Sequence, residues 1–285
     1  MSNQIDVFMG CESPFDEAEI VMFSAPYDGT SSFRPGSRFA GAEIRKNSYG
    51  IESYSPYCKQ DLYDMKVFDA GCLDLPINNS DRMLEIVKTQ VREIVINDKK
   101  PLMIGGEHLV TLGAVHAMVK KFPDLHILHF DAHADLRDEY LGEKYSHATV
   151  MRRVWESVGN KRIFQAGIRS GDAKEFEFAT EHTAMGKFDL KKMKNFCSAL
   201  AGKPVYLSLD LDVLDPACFP GTGTPEPGGV SFRDLHEAIL SLRDLNIVGG
   251  DVVELAPHYD ASGVSTMVAC KLIREILMVM GQAHA

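Results

Sequence analysis

Seven short apolar runs recur along the chain, and from the second run onward each is followed by a longer stretch with helical periodicity. The runs are "EIVMFSAP" (19–26), "MKVFDAG" (65–71), "PLMIGG" (101–106), "LHILHFDAH" (125–133), "RIFQAGI" (162–168), "PVYLSLDLD" (204–212) and "IVGGDVVEL" (247–255). Helical patterns span 81–97, 108–121, 147–158, 189–201, 231–244 and 263–280. In the first of these, Met83, Ile86, Val87, Val91, Ile94 and Val95 recur at helical spacing and so share one face. Strands separated by helices of this length need crossover connections, and such crossovers build a mostly parallel sheet covered on both sides. The runs are almost continuously apolar, as strands buried on both faces must be. The expected fold class is therefore α/β: a three-layer α-β-α arrangement around a mostly parallel central sheet. No repeat or linker interrupts the pattern, so residues 1–285 are expected to form a single domain.

Composition narrows the function classes. With 45% hydrophobic residues and 285 positions, the chain can bury a sizeable core. A net charge of −10 argues against a nucleic-acid partner, which needs a basic surface, and is compatible with cationic substrates or metal ions. No apolar stretch approaches the roughly 20 residues that span a bilayer. The first 20 residues lack the basic start and apolar core of a secretory leader. The six cysteines are scattered, without a Cys-x-x-Cys pair, which suits reduced thiols. A cytoplasmic enzyme with no membrane or nucleic-acid partner is the expectation.

Four of the apolar runs end in strong polar groups. "PLMIGG" runs into Glu107 and His108, "LHILHF" into Asp131, His133 and Asp135, "PVYLSL" into Asp210 and Asp212, and "IVGGDVV" into Glu254. In open parallel sheets, ligands bind beyond the carboxyl ends of the strands, so these groups can meet in one crevice. Side chains alternate along a strand, which predicts that Asp131, His133 and Asp135 share a face, and likewise Asp210 and Asp212. Uncompensated buried carboxylates are costly. Two divalent cations would balance the four aspartates, and a six-residue set with His108 and His133 exceeds one tetrahedral zinc site. A binuclear hydrolytic centre fits. Oxygen-rich ligation without thiolate favours manganese and leaves magnesium, zinc and iron open. His126 and His129, inside the apolar run, are expected to be structural. One such motif alone would be weak, since an aspartate at a strand end is often a helix cap.

The assembled motifs resemble those of the ureohydrolases, the arginase and agmatinase family, most closely its agmatinase branch. They are "GGEH" (105–108), "DAHAD" (131–135), "SHAT" (146–149), "SLDLDVLDP" (208–216), "PGTGTPEPGG" (220–229) and "DVVELAPHYD" (251–260), with "RPGSRFAGAEIR" (34–45) nearer the start. Two departures from the family pattern stand out: Ala40-Gly41 replaces a Gly-Pro pair, and Ala148 stands where glycine is common. The resemblance implies an arginase-like fold and two Mn2+ per subunit. One ion would be held by His108, Asp131, Asp135 and Asp210, the other by Asp131, His133, Asp210 and Asp212. It further implies attack of a metal-bridging hydroxide on a guanidinium carbon, Glu254 binding the guanidinium, and His147 carrying the proton to the leaving amine. Asp212 would help orient the reacting groups. A homo-oligomer, trimer or hexamer, is also implied.

The loop after the DAHAD motif is the expected seat of substrate choice. "LRDEYLGEKYSHAT" carries Asp138, Glu139 and Glu143, acids that would repel a carboxylate and attract a distal ammonium. Asp138 and Glu139, with Glu254 and His147, are therefore the expected substrate-binding residues. A small dication with a guanidinium at one end suits them best: agmatine, cleaved to putrescine and urea, in a polyamine-supplying role. Guanidinobutyrate, guanidinopropionate, arginine and formiminoglutamate are the alternatives within the family. Outside it stands an inactive metal-binding scaffold.

Overall fold

Eight parallel strands form one sheet in the order β4-β1-β5-β10-β9-β6-β7-β8 in a computed structural model, which describes residues 7–282. The strands are β1 (Ile20–Ser24), β4 (Val67–Cys72), β5 (Lys100–Ile104), β6 (His126–Phe130), β7 (Ile163–Ile168), β8 (Ala184–Lys187), β9 (Val205–Asp210) and β10 (Ile247–Val253). A separate small hairpin pairs β2 (Tyr54–Ser55) with β3 (Gln60–Asp61). The absence of a secretory leader was read partly from residues 1–6, which lie outside the described residues.

Strand alternation divides the core in two. On β1, Ile20 and Met22 pack to one side while Val21 and Phe23 pack to the other. The first side is covered by α1 (Ala40–Ser48), α6 (Met193–Leu200), α7 (Phe232–Leu240) and α8 (Val264–Gly281). The second is covered by α2 (Ser80–Ile96), α3 (Val110–Lys121), α4 (Val150–Val158) and α5 (Ala173–His182). The expected three-layer α/β architecture is therefore the observed one. Helix starts are set by local chemistry: the Asn79 side chain accepts from the Arg82 N–H at the head of α2, and Asp172 with Glu175 forms a capping box on α5.

Three elements carry no clear apolar signal and are additions to the sequence reading. Helix α1 has a single large aliphatic residue, Ile44, on its buried face. Helix α5 interleaves its phenylalanines with charges, and β8 is a short edge strand of only partly buried residues. None of the described helices is long and apolar enough to cross a membrane.

Buried charge also ties α8 to the rest of the fold. Glu275 is fully buried; its carboxylate accepts from the Ser55 hydroxyl at 2.7 Å and from Arg274. Burial raises this carboxyl, but contacts with His236, Arg274 and Ser55 outweigh burial and bring it down to about 2. An unfolded glutamate titrates near about 4.3. The contribution of Glu275 to stability is thus complete above that value and is lost as pH falls toward about 2. Thermal unfolding measured across acidic pH should show a shallower loss of stability for Glu275→Gln than for the wild-type chain, and parallel acid limbs would refute the linkage.

Candidate active site

Because the sheet is parallel, all strands end along one edge, and the four that bear the polar motifs are neighbours: β5, β10, β9 and β6. The two glycines of "GGEH" let the chain turn there. A side chain on Gly106 would reach within 1.8 Å of the Tyr27 carbonyl, so only glycine admits the loop after β1 beside the end of β5.

The expected positioning by strand alternation requires correction. β6 ends at Phe130, and Asp131, His133 and Asp135 lie in the loop beyond it. Here the backbone leaves regular strand geometry while still following the segment after β7. The His133 N–H donates to Asp131 Oδ1, His133 forms a parallel bridge with Ser170, the Ala134 N–H donates to the Ser170 carbonyl, and Asp135 adopts φ +54°. Ala132 and Ala134 are buried, as small residues in a tightly packed loop. Asp210 closes β9, but Asp212 sits in the following 3-10 turn, where its N–H donates to Asp210 Oδ1. A loop, a strand end and a turn converge, where a pair of straight strands was expected. Glu254 also lies just past its strand, at φ +66°. Left-handed backbone at non-glycine residues costs about 1–3 kcal/mol each and is tolerated where the surroundings fix it.

Two clusters result. In the first, His108 Nδ1 lies 3.1 Å from Asp131 Oδ2, 3.1 Å from Asp135 Oδ2 and 3.4 Å from Asp210 Oδ2. In the second, His133 Nδ1 lies 3.0 Å from Asp212 Oδ2 and 3.4 Å from Asp131 Oδ1. Asp131 offers one oxygen to each cluster and so joins them. Asp210 places Oδ2 in the first cluster and spends Oδ1 on the Asp212 N–H.

The protonation pattern tests whether a cation fits. Ser208 donates its hydroxyl to Asp251 Oδ1 at 2.8 Å, so its oxygen accepts from His108 Nε2–H at 2.9 Å. That leaves Nδ1 as a bare lone pair, fully buried, without a hydrogen-bond partner and facing three carboxylate oxygens. Only a proton or a metal ion relieves that convergence of negative groups. Without a cation, burial and the neighbouring acids push Asp210 well above the carboxylate range and lift Asp135 to about 7. The donor set is that of a divalent cation.

Beneath the clusters runs a polar row that the apolar pattern of the strands concealed. Parallel register sets Gln165 beside His129, His129 beside Ser208, and Ser208 beside Asp251. His129, expected to be structural, lies outside the two clusters but directly against them, its Nε2 2.8 Å from Asp131 Oδ2. Gln165 Nε2 donates to His129 Nδ1 at 3.2 Å, so His129 directs Nε2–H to Asp131 and supports that carboxylate from outside the clusters. His126 is remote, its Nδ1 beside the Asp124 carbonyl at the start of β6. The signal for this row is a polar residue on each of four strands that are otherwise apolar.

The loop 211–230 is pinned by Arg169, whose guanidinium donates to the carbonyls of Asp212, Val213 and Glu226. Thr224 in that loop donates to Asp212 Oδ2 at 3.1 Å. Above the clusters opens a cavity of about 210 Å³ lined by His108, His133, Asp135, Asp210, Glu254, His147, Ser32, Tyr140 and Glu175 among others. Glu254 is buried, accepts the His108 N–H at 2.8 Å, and is raised well above the carboxylate range by burial and by Glu107. His147 lies in the turn before α4; burial and the adjacent His133 hold it down to about 4.

Asp138 and Glu139 do not reach this cavity. Both are exposed and line a neighbouring groove, and Asp138 pairs at 2.6 Å with the buried guanidinium of Arg153 on α4. The helix supplies a cation that the loop sequence alone does not show. Glu175, from the capping box of α5, is the acid that lines the cavity instead.

Comparison with known proteins agrees with this geometry. The family model described as "Arginase family" matches residues 18–279. Agmatinase of Bacillus cereus is 45% identical over 276 residues, covering 95% of both chains. Guanidinobutyrase of Pseudomonas aeruginosa is 32% identical over 278 residues, covering 93% of this chain and 87% of its own. The crystal structure of a putative agmatinase from Clostridium difficile superposes with a TM-score of 0.92 at 47% identity, over 94% of this chain and 99% of that one. Two carboxylate–imidazole clusters sharing Asp131, at the carboxyl edge of a parallel sheet, thus accompany a sequence match along nearly the whole chain: the protein belongs to the arginase family.

Proposed function

We propose that the chain hydrolyses agmatine to putrescine and urea. The observation that carries this reading is the pair of clusters joined by Asp131, with Glu254 and His147 facing the same cavity. The likeness to agmatinase of Bacillus cereus supports the choice of substrate.

Two divalent cations, manganese by preference, would be held by His108, Asp131, Asp135 and Asp210, and by Asp131, His133, Asp210 and Asp212. When bound, such a pair supplies an activated water at neutral pH and neutralises developing negative charge. Glu254 accepts hydrogen bonds from the guanidinium and orients its carbon toward the clusters, a charge-assisted contact in a buried setting. Asp212, steadied by Thr224, helps hold the reacting groups in register. As the C–N bond breaks, the leaving nitrogen takes a proton delivered by His147, and putrescine departs as a cation.

Substrate choice follows from the lining of the cavity. Glu175 stands in the cavity wall where Asp138 and Glu139 were first expected. Its oxygens are taken by the Leu136 and Asp172 N–H groups and by Arg137, so it shapes the wall and offers no free charge. Arg137 also lines the cavity, but its guanidinium lies 3.3 Å from Glu175 and 3.5 Å from Asp172 and so carries little net charge toward a ligand. Guanidinobutyrate, guanidinopropionate, arginine and formiminoglutamate each bring a carboxylate, for which the cavity holds no free cation among the described residues, since Arg137 is paired with Glu175 and Asp172. An inactive scaffold would have no use for a complete donor set that strains the fold. Assembly as a trimer or hexamer in the cytoplasm remains part of this reading, and light scattering checks the assembly.

Urea release from Mn2+-loaded protein should be fastest with agmatine, with kcat/KM at least about 100-fold above that for arginine or guanidinobutyrate. Equal or greater turnover of a carboxylate-bearing substrate would displace the agmatine reading. His133→Asn should lower both bound metal per chain and urea release, by at least about 100-fold in rate, because it removes a ligand from the second cluster. Full metal content with normal turnover in that variant would overturn the assignment.

A further inference from the structure

Three groups connect to His147 without entering the reaction described so far: buried Glu107 through half-buried Thr30 on one side of the ring, and exposed Ser32 on the other. Glu107, at the end of β5, is completely buried and belongs to neither cluster. Three donors converge on its carboxylate: Thr30 N–H at 2.9 Å, Thr30 Oγ1 at 2.6 Å and Ser31 Oγ at 3.2 Å. Thr30 belongs to the loop that Gly106 admits beside β5. Its hydroxyl oxygen in turn lies 3.1 Å from the His147 N–H and 3.4 Å from His147 Nδ1. On the far side of the ring, Ser32 Oγ lies 3.2 Å from Nε2.

Counting protons along this chain fixes each direction. Three donors on its two oxygens make the Glu107 carboxylate the acceptor. Burial raises it to about 7, so at mildly alkaline pH it is ionised and the single hydroxyl proton of Thr30 is committed to it. Thr30 Oγ1 then has only lone pairs left. One receives the backbone N–H of His147, and the other can face Nδ1 favourably only if Nδ1 carries the proton. In a neutral imidazole Nε2 is then bare, and the Ser32 hydroxyl donates to it. We infer that Glu107 and Thr30 are positioning residues that set the tautomer of His147, keeping Nδ1 protonated and Nε2 open toward the cavity. For a proton carrier this is the useful state: Nε2 can take up a proton and release it to the leaving nitrogen, while Nδ1–H stays anchored on Thr30. The other tautomer would set a lone pair at Nδ1 against the lone pairs of Thr30 Oγ1 and a proton at Nε2 that a neutral ring has no means to replace. The catalytic consequence, though not the tautomer itself, rests on the reading of His147 as the proton carrier.

The test separates the two. Ring-nitrogen NMR shifts of 15N-histidine-labelled, Mg2+-loaded protein at mildly alkaline pH report the tautomer directly, with the His147 signal assigned by its loss in His147→Asn. Wild-type protein should show the Nδ1–H form. Thr30→Val, which removes the hydroxyl while keeping the shape, should shift the population toward Nε2–H, and Glu107→Gln, which frees the Thr30 proton, should do the same if Thr30→Val folds poorly. In the Mn2+-loaded enzyme with agmatine, Thr30→Val should lower kcat by about 10- to 100-fold with KM little changed. Thr30→Ser, which restores the hydroxyl, should recover most of that loss. Adding Thr30→Val to His147→Asn should cost nothing further, because one acts through the other. An Nε2–H ring in the wild type, or additive losses in the double variant, would overturn the inference. Undiminished urea release from His147→Asn would instead remove the proton-carrier role, and the NMR arm would still decide the hydrogen-bond relay.

Discussion

The structure is organised around one electrostatic problem: a buried imidazole lone pair and three buried carboxylates pointed at the same small volume. Water is absent from such a place as a solvent for charge, so each group there must be balanced by a partner or a cation. Everything near His108 serves that convergence. Ser208 and Asp251 fix which nitrogen faces the carboxylates. Tyr206 donates to the second oxygen of Asp251 at 2.8 Å, so the supporting acid is itself satisfied. Glu254 holds the His108 backbone N–H, which couples an acid of the cavity wall to the position of His108 in the first cluster. The converging atoms thus end a buried hydrogen-bonded network, and a well-satisfied network of this kind holds its members rigidly.

The sheet makes the convergence possible, and it was the most legible part of the molecule. Continuous apolar runs such as "LHILHF" and "PVYLSL" mark strands buried on both faces, and the helical periods between them require crossovers. The clustering of polar residues at strand ends was also legible, because it follows from the shared direction of parallel strands. The manner of their approach was not. Asp131 to Asp135 alternate as a strand would, but the regular ladder stops at Phe130, continues only through an isolated bridge of His133 with Ser170, and ends in left-handed backbone at Asp135. Periodicity cannot distinguish a strand from a loop whose small residues are buried because two other loops press on them. Short elements, such as α1 with Ile44 alone, likewise draw their stability from packing rather than from pattern.

Pairing across the sequence was the other unreadable quantity. The loop 136–145 presents its acids as free charges, yet Asp138 is taken up by Arg153 and Arg137 by Glu175 and Asp172. Each partner lies on a helix that the loop reaches only after folding. The same holds for His129, whose ring is oriented toward Asp131 by Gln165 on the neighbouring strand. Residue chemistry shows which groups need partners, and only the folded contacts show which partners they find.

The division of labour between loops explains why one scaffold can keep its reaction while changing its substrate. The two clusters draw their residues from the ends of three strands, β5, β9 and β6, and are backed by the buried row of Gln165, His129, Ser208 and Asp251. The groups beyond them come from elements that carry no ligand: Ser32 and Thr30 from the loop after β1, Tyr140 and His147 from the segment before α4, Glu175 from α5. Those segments touch the clusters at few points, and their conformations are tied mainly to one another through Thr30, Arg137 and the capping box of α5. Substitutions there change the depth, charge and proton handling of the cavity without disturbing the donor set below. Gly106 is the exception that binds the two layers, because the close approach it permits brings the Tyr27–Ser32 loop onto the strand that ends in Glu107 and His108. A bulkier residue at that single position would separate the loop whose Thr30 contacts His147 from the strand end that carries His108.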